Sequence, residues 1–337
     1  MKVNPTGPAT GRTTSGTTAS ADDLRLALRA ATLYHVEGLT QAEIARRLGV
    51  SRPTAGRLVA RARQQGLVRI EVEVPPHLAE QVHADEERAL EERFDLTEVI
   101  VVGDPVTGPP ERSTSFSGLG RAAAALVARR IGAEDTLGFT WGPETVAVAQ
   151  ALTPGESTCS RVVQLDGSVT TADYQTGTEY VLGRCAEQLK ATTMRLPAPL
   201  FADPSTVASL QTDSVISRTL QAGAEADVMM FGVGAVSRAT TLFEGAFVDT
   251  AMLDELTAAG AVGEIAGRYF RQDGSVVDGE LAERAVSVSL EAVRDCPAAV
   301  LVAGGESKHH AILGALRGGF SSLLVCDVDT ARWLLDH

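Results

Sequence analysis

The chain has 337 residues, 43 of them acidic and 30 basic, for a formal net charge of −13. That length exceeds what one ordinary domain needs, and the overall acidity excludes a protein that coats nucleic acid over its whole surface. The charge is also divided: residues 1–75 hold 11 Lys/Arg against 6 Asp/Glu, a net of +5, while residues 76–337 carry −18. A basic head on an acidic body is expected, with only the head touching double-stranded DNA. No run of about 18 apolar residues occurs and no charged segment leads into an apolar one, so neither membrane spanning nor secretion is expected and the cytoplasm is the expected compartment. Cys159, Cys185, Cys296 and Cys326 lie far apart and lack ligand spacing. They read as reduced, buried thiols, with no metal and no cofactor expected.

Residues 1–20 are Thr, Ser, Gly and Pro with almost no large apolar side chain, a composition expected to stay disordered as a leader. Residues 21–76 read as a helix-turn-helix domain. Leu24, Leu28, Ala31 and Val36 fall near helical spacing for a first supporting helix. Thr40 and Glu43 have capping-box spacing ahead of Gln41, and Ile44, Ala45 and Leu48 form an apolar stripe. Gly49 suits a helix end, Ser51 a new N-cap, and Pro53 a first turn where its missing N–H costs nothing. Ala55, Leu58, Val59 and Ala62 then recur at helical spacing, leaving Arg52, Thr54, Arg57 and Arg61 off the buried stripe. Between Ile44 and Ile70 stand seven arginines and no acid. The expected DNA contacts are Thr40, Gln41, Ser51, Arg52, Pro53, Thr54, Arg57 and Arg61. Residues 67–74 alternate polar and apolar, which suits a strand or wing, and residues 77–95 suit a helix, either a connector that aids dimerisation or the first surface helix of the body.

From residue 96 onward, short apolar runs alternate with helical segments: VIVV at Val99, TLGFT at Thr136, VVQL at Val162, DVMMFGVG at Asp227, AVLVAGG at Ala299 and SSLLVCD at Ser321. This pattern predicts an α/β domain with a largely parallel sheet over residues 96–337. Ligands of such sheets bind beyond the carboxyl ends of the strands, where the chain places polar and glycine-rich loops. The turn of Thr140, Trp141, Gly142 and Thr145 leads into a helix whose N-terminus suits an anion, with Trp141 as a pocket wall. Asp166 and Gly167 follow one strand, and Gly232 and Gly234 another. Glu264 sits among small residues. Lys308 stands in the first turn of a helix, where a cation is unfavourable unless an anion or another partner holds it.

The segments LTQAEIARRLGVSRPTAGRLVARARQQGLVRIEV, TWGPET, GAVGEIAGRYF and LVAGGESKHHAILGALRGGFSSLLVCDVDTARWLL together resemble the SorC family of bacterial transcriptional regulators over residues 22–337. That resemblance implies an N-terminal helix-turn-helix before a Rossmann-like α/β effector domain similar to sugar-phosphate isomerases and deaminases. It implies that Thr140, Gly142 and Thr145 hold an effector's phosphate, that Glu264 bonds sugar hydroxyls, and that Lys308 meets phosphate or hydroxyl oxygen, with Arg238 and Gln175 as looser counterparts of further anchors. Pro143 and Glu144 within the loop leave a non-phosphorylated polyol or sugar open. The implied function is effector-controlled operator binding by a homo-oligomer, dimer or tetramer. An isomerase or deaminase with an appended DNA-binding head is the alternative, with Glu264 or Asp327 as its base.

Overall fold

The computed structural model describes residues 21–70, 82–104, 106, 113–171, 174–175, 177–244 and 248–337. The leader expected at 1–20 and half of the strand expected at 67–74, residues 71–74, lie outside them. The chain divides into two compact units, residues 1–73 and 74–337.

The first unit contains α1 (Ala21–His35), α2 (Gln41–Leu48) and α3 (Arg52–Gln64). Capping sets where α2 and α3 begin. The Glu43 carboxylate accepts from the Thr40 N–H at 2.8 Å and its hydroxyl at 2.7 Å, and the Thr40 hydroxyl accepts from the Glu43 N–H at 3.4 Å. Gly49 ends α2 in the left-handed conformation, and Ser51 accepts from the Thr54 N–H at 3.3 Å to open α3. Ile44 and Ala45 of α2 and Ala55, Leu58, Val59 and Ala62 of α3 are buried as expected, while Leu48 is half-buried. The stripe on α1 differs from expectation. Ala27, Ala30, Ala31 and Leu33 are buried, whereas Leu28 is 50% and Val36 78% exposed. Three of these four buried residues are alanines, whose short side chains let α1 approach α3 closely. Residues 67–70 form no strand.

The strands of the second unit are β1 (Glu98–Val102), β2 (Thr136–Phe139), β3 (Arg161–Gln164), β4 (Thr170–Thr171), β5 (Tyr174–Gln175), β6 (Thr192–Met194), β7 (Val228–Phe231), β8 (Gly234–Ala235), β9 (Ala261–Ile265), β10 (Arg268–Arg271), β11 (Ala298–Val302) and β12 (Leu323–Asp327). Seven form a parallel sheet in the order β1-β12-β11-β7-β2-β3-β6. All six apolar runs expected as strands are in it. Successive residues feed opposite faces: Met229, Phe231, Leu301 and Leu324 enter one core, and Val228, Met230, Val300 and Val325 the other. That is why these strands are continuously apolar rather than alternating.

The helix expected as a possible connector runs from Ala84 to Phe94 and belongs to the second unit. Its Glu91 and Glu87 carboxylates accept from the Val99 and Val101 N–H groups at 2.9 and 3.0 Å. These are outward-facing donors of the edge strand β1, so the helix closes an edge that would otherwise offer a pairing template. Burial raises the pKa of Glu87 above the usual carboxylate range. Among the described residues, no helix is long and apolar enough to cross a membrane.

Candidate functional site

After β2 the chain passes to β3, on one side, and later returns to place β7 on β2's other side. That reversal opens a crevice at the carboxyl ends of the strands. Loops following β11, β7, β2 and β3, four neighbours in the sheet, surround a cleft of about 870 Å³ counted out to its solvent mouth. Of the residues expected to bind an effector, Thr140, Trp141, Gly142, Asp166, Gly232, Gly234, Glu264 and Lys308 line it.

Glu264 is placed by a small antiparallel sheet in which β9 pairs with both β8 and β10. The β9–β10 hairpin turns through Ala266 and Gly267 at φ 56° and 75°, the left-handed pair of a two-residue turn. Gly234 lies opposite Glu264 in register, and a Cβ built there would lie 2.2 Å from the carboxylate oxygen Oε1. The other oxygen, Oε2, accepts from the Gly267 N–H at 2.8 Å. Burial raises the Glu264 pKa, with the Gly267 bond and the Lys308 charge pulling the other way.

Lys308 ends a short 3-10 turn, Glu306–Lys308, and donates from Nζ to Glu144 Oε1 as an ion pair, the side chains being 12% and 3% exposed. The ammonium also stands 5.3 Å from the Phe116 ring centroid, within cation–π range. The anion that a first-turn lysine requires is therefore supplied by the protein itself. Glu144 comes from the N-terminus of the helix Pro143–Ala151, the end that the sequence reading reserved for a ligand phosphate. Asp166 is buried and accepts from the Trp141 N–H at 3.3 Å, while the indole N–H donates to the Gly167 carbonyl at 3.1 Å. Burial, partly offset by the Trp141 bond, holds the Asp166 pKa well above the usual carboxylate range.

Several expected residues stand elsewhere. Thr145 is fully buried and its hydroxyl donates to the Thr140 and Gly142 carbonyls at 2.8 and 3.0 Å, so it braces the loop from inside. Gly167 is not among the lining residues; a Cβ there would lie 2.2 Å from the Pro199 carbonyl oxygen, a backbone approach only glycine permits. Arg238 is exposed and outside the lining, although its neighbours Ser237 and Ala239 belong to it. Gln175 is the second residue of β5, and its side chain is outside the described part. Asp327, considered as a base, is committed to N-capping: it accepts from the Thr330 N–H at 2.8 Å and the Gly305 N–H at 2.8 Å, fixing the loop that carries Lys308. Sequence reasoning missed Ser237, Thr240 and Ser307 as lining hydroxyls, and a simple count of polar residues after each apolar strand would have reached Ser237 and Ser307. All four cysteines are buried free thiols, and burial pushes Cys159 up to about 11 and Cys185 to about 12. No group of three or more metal-ligating side chains occurs among the described residues.

In the head, Arg52 and Arg57 are exposed, as are Thr40, Gln41, Ser51 and Pro53. Thr54 is half-buried, with its hydroxyl 2.8 Å from that of Ser51. Gln41 reaches over Gly56 of α3. Arg61 is tied back to Asp23 of α1 at 3.6 Å, a partner the sequence reading did not give it.

The raised carboxyls give one expected result. A folded state that holds a proton more tightly than the unfolded chain loses stability as pH rises from the unfolded values, 3.8 for Asp166 and 4.5 for Glu264, toward the folded ones. Asp166→Asn should therefore stabilise the unliganded protein at neutral pH, and its advantage over wild type should shrink as pH falls toward about 4. Thermal denaturation of both proteins from pH 4 to 8 checks this. An advantage that is constant, or grows with acid, would contradict the burial argument.

A family described as "Putative sugar-binding domain" matches residues 81–336, and the MarR family matches residues 30–77. The chain is 30% identical over 313 residues to the deoxyribonucleoside regulator of Bacillus subtilis (strain 168), covering 93% of this chain and 97% of that protein. The full-length sorbitol operon regulator SorC of Klebsiella pneumoniae superposes with a TM-score of 0.67 at 28% identity, covering 94% of this chain and all of that one. A DeoR family transcriptional regulator from Listeria monocytogenes superposes with a TM-score of 0.65 at 25% identity over 74% of this chain and 98% of that one.

Proposed function

This chain belongs to the SorC family of transcriptional regulators, and we propose that a sugar-class effector, a phosphorylated sugar or a polyol, binds in the cleft at the strand ends and sets the affinity of the head for operator DNA. The observation that carries this reading is one crevice that brings Asp166 and Lys308, on strand-end loops of the parallel sheet, together with Glu264 of the small antiparallel sheet, in a chain whose other unit is a basic helix-turn-helix. Carboxylates and hydroxyls that converge on a half-open cleft bond sugar hydroxyls in pairs and fix their stereochemistry. The relatives are regulators rather than enzymes, and Asp327, the other carboxylate considered as a base, is bound to backbone N–H groups.

In this account α3 enters the major groove with its N-terminal residues, so Arg52, Thr54 and Arg57 face base edges. Thr40, Gln41, Ser51 and Pro53 flank them near the phosphates, with Arg61 at the side of α1. One such module reads too few bases for a specific site, so the protein acts as a homo-oligomer on half-sites spaced by whole turns of about 10.5 base pairs. A DNA-reading regulator of this kind works in the cytoplasm. Arg57→Ala should cost about 1–3 kcal/mol of operator affinity and relax selectivity at one base pair if the guanidinium reads a guanine. Selection of duplexes by wild type and variant, followed by titration of the winning sequence, measures both. Unchanged affinity and selectivity would remove Arg57 from the reading set.

A further inference from the structure

The residues around the cleft favour one ligand class over the other within that reading, on which this inference rests. Among the described lining residues there are three carboxylates, Glu144, Asp166 and Glu264, and one cation, Lys308. Lys308 already spends its charge on Glu144. The helix N-terminus that would cradle a phosphate is depleted of donors as well. Trp141 gives its N–H to Asp166, and Pro143 has none to give. The Thr145 hydroxyl points at backbone carbonyls instead of into the cleft, and Glu144 puts a negative charge in the first turn of the helix, where the dipole would otherwise favour an incoming anion. We propose that the cleft is built for an uncharged polyhydroxylated ligand, a polyol or free sugar, and discriminates against its phosphate esters.

Each element has a role in such a site. Lys308 Nζ and the hydroxyls of Thr140, Ser237 and Ser307 serve as donors to ligand oxygens, while Glu264 and Asp166 accept from ligand hydroxyls. Burial favours the protonated form of both carboxyls, and in that form a carboxyl can also donate, which suits hydroxyl groups that act in both senses. A phosphate ester would bring two negative charges beside Glu144 without a free cation among the described lining residues to offset them.

The test uses wild-type full-length protein and matched pairs of compounds, each a pentitol, hexitol, pentose or hexose beside its monophosphate, with inorganic phosphate as a separate probe. Calorimetry should find at least one uncharged member that binds, with its ester weaker by tenfold or more and inorganic phosphate inert. An ester that binds more tightly than its uncharged parent overturns this inference and leaves the sugar-class reading standing. Failure of every uncharged compound and every ester overturns both. Glu144→Gln offers an independent arm. Releasing Lys308 from its partner and removing one negative charge should shift the ester-to-parent preference toward the ester by at least tenfold, and an unchanged preference would contradict the charge argument.

Discussion

Lys308→Met is expected to destabilise the larger unit by about 3 kcal/mol, the low end of the cost of breaking a buried ion pair because the lysine end keeps some solvent access. Most of that loss arises from Glu144, whose carboxylate would stay 3% exposed without its ammonium partner. The double variant Lys308→Met/Glu144→Gln should accordingly recover most of the stability, giving a coupling energy of about 2 kcal/mol or more in a double-mutant cycle. Effector affinity should stay low in both, by about tenfold or more, since both lack the ammonium that donates to the ligand. Urea unfolding of the four proteins, read alongside calorimetry, separates the two effects. Additive stabilities would show that the pair contributes nothing as a pair. Wild-type effector affinity in Lys308→Met would remove the lysine from the site.

Gly234→Ala is expected to disable the cleft with less damage to the fold. The new methyl carbon would lie 2.2 Å from Glu264 Oε1, so the carboxylate must move, and it cannot do so freely while its other oxygen holds the Gly267 N–H at 2.8 Å. Overpacking of this kind costs about 1–3 kcal/mol of stability. The displaced carboxylate loses its alignment with ligand hydroxyls, so effector affinity should fall by about tenfold or more, or about 1.4 kcal/mol. The head is a separate unit with its own core, and operator binding without effector should stay near wild type. Calorimetry together with operator titration of the folded variant checks this. An effector affinity within about twofold of wild type, roughly 0.4 kcal/mol, would show that Glu264 does not need its present position.

The elements that could be read from the sequence are those whose burial or capping leaves an unambiguous residue pattern. The strands around β7 are covered on both faces and so are apolar without interruption, and α2 and α3 announce themselves through Thr40, Glu43, Gly49 and Ser51. The edge strand β6 is Thr-Thr-Met, with two of its three residues exposed, and offers no such signal. The β9–β10 hairpin was legible as a motif but not as strands, because its inward positions include Gly263, which makes room for Ala311, rather than large apolar side chains. In the site, the loops followed from the strand ends, whereas side-chain directions did not. Glu144 reaches Lys308 across 164 positions of sequence, and only the sheet order brings them together. The same holds for Thr145, which periodicity places at a helix start and packing turns inward.

Occupancy of the cleft is expected to set the grip of the head on DNA. This coupling is tested most directly by titrating wild-type protein onto its selected operator duplex, at fixed salt, with and without a saturating amount of the compound that calorimetry shows to bind. Operator affinity should change by about fivefold or more, or about 1 kcal/mol of coupling, and Gly234→Ala should lose the change at the same compound concentration. An operator affinity that is identical with the cleft filled and empty would contradict that coupling.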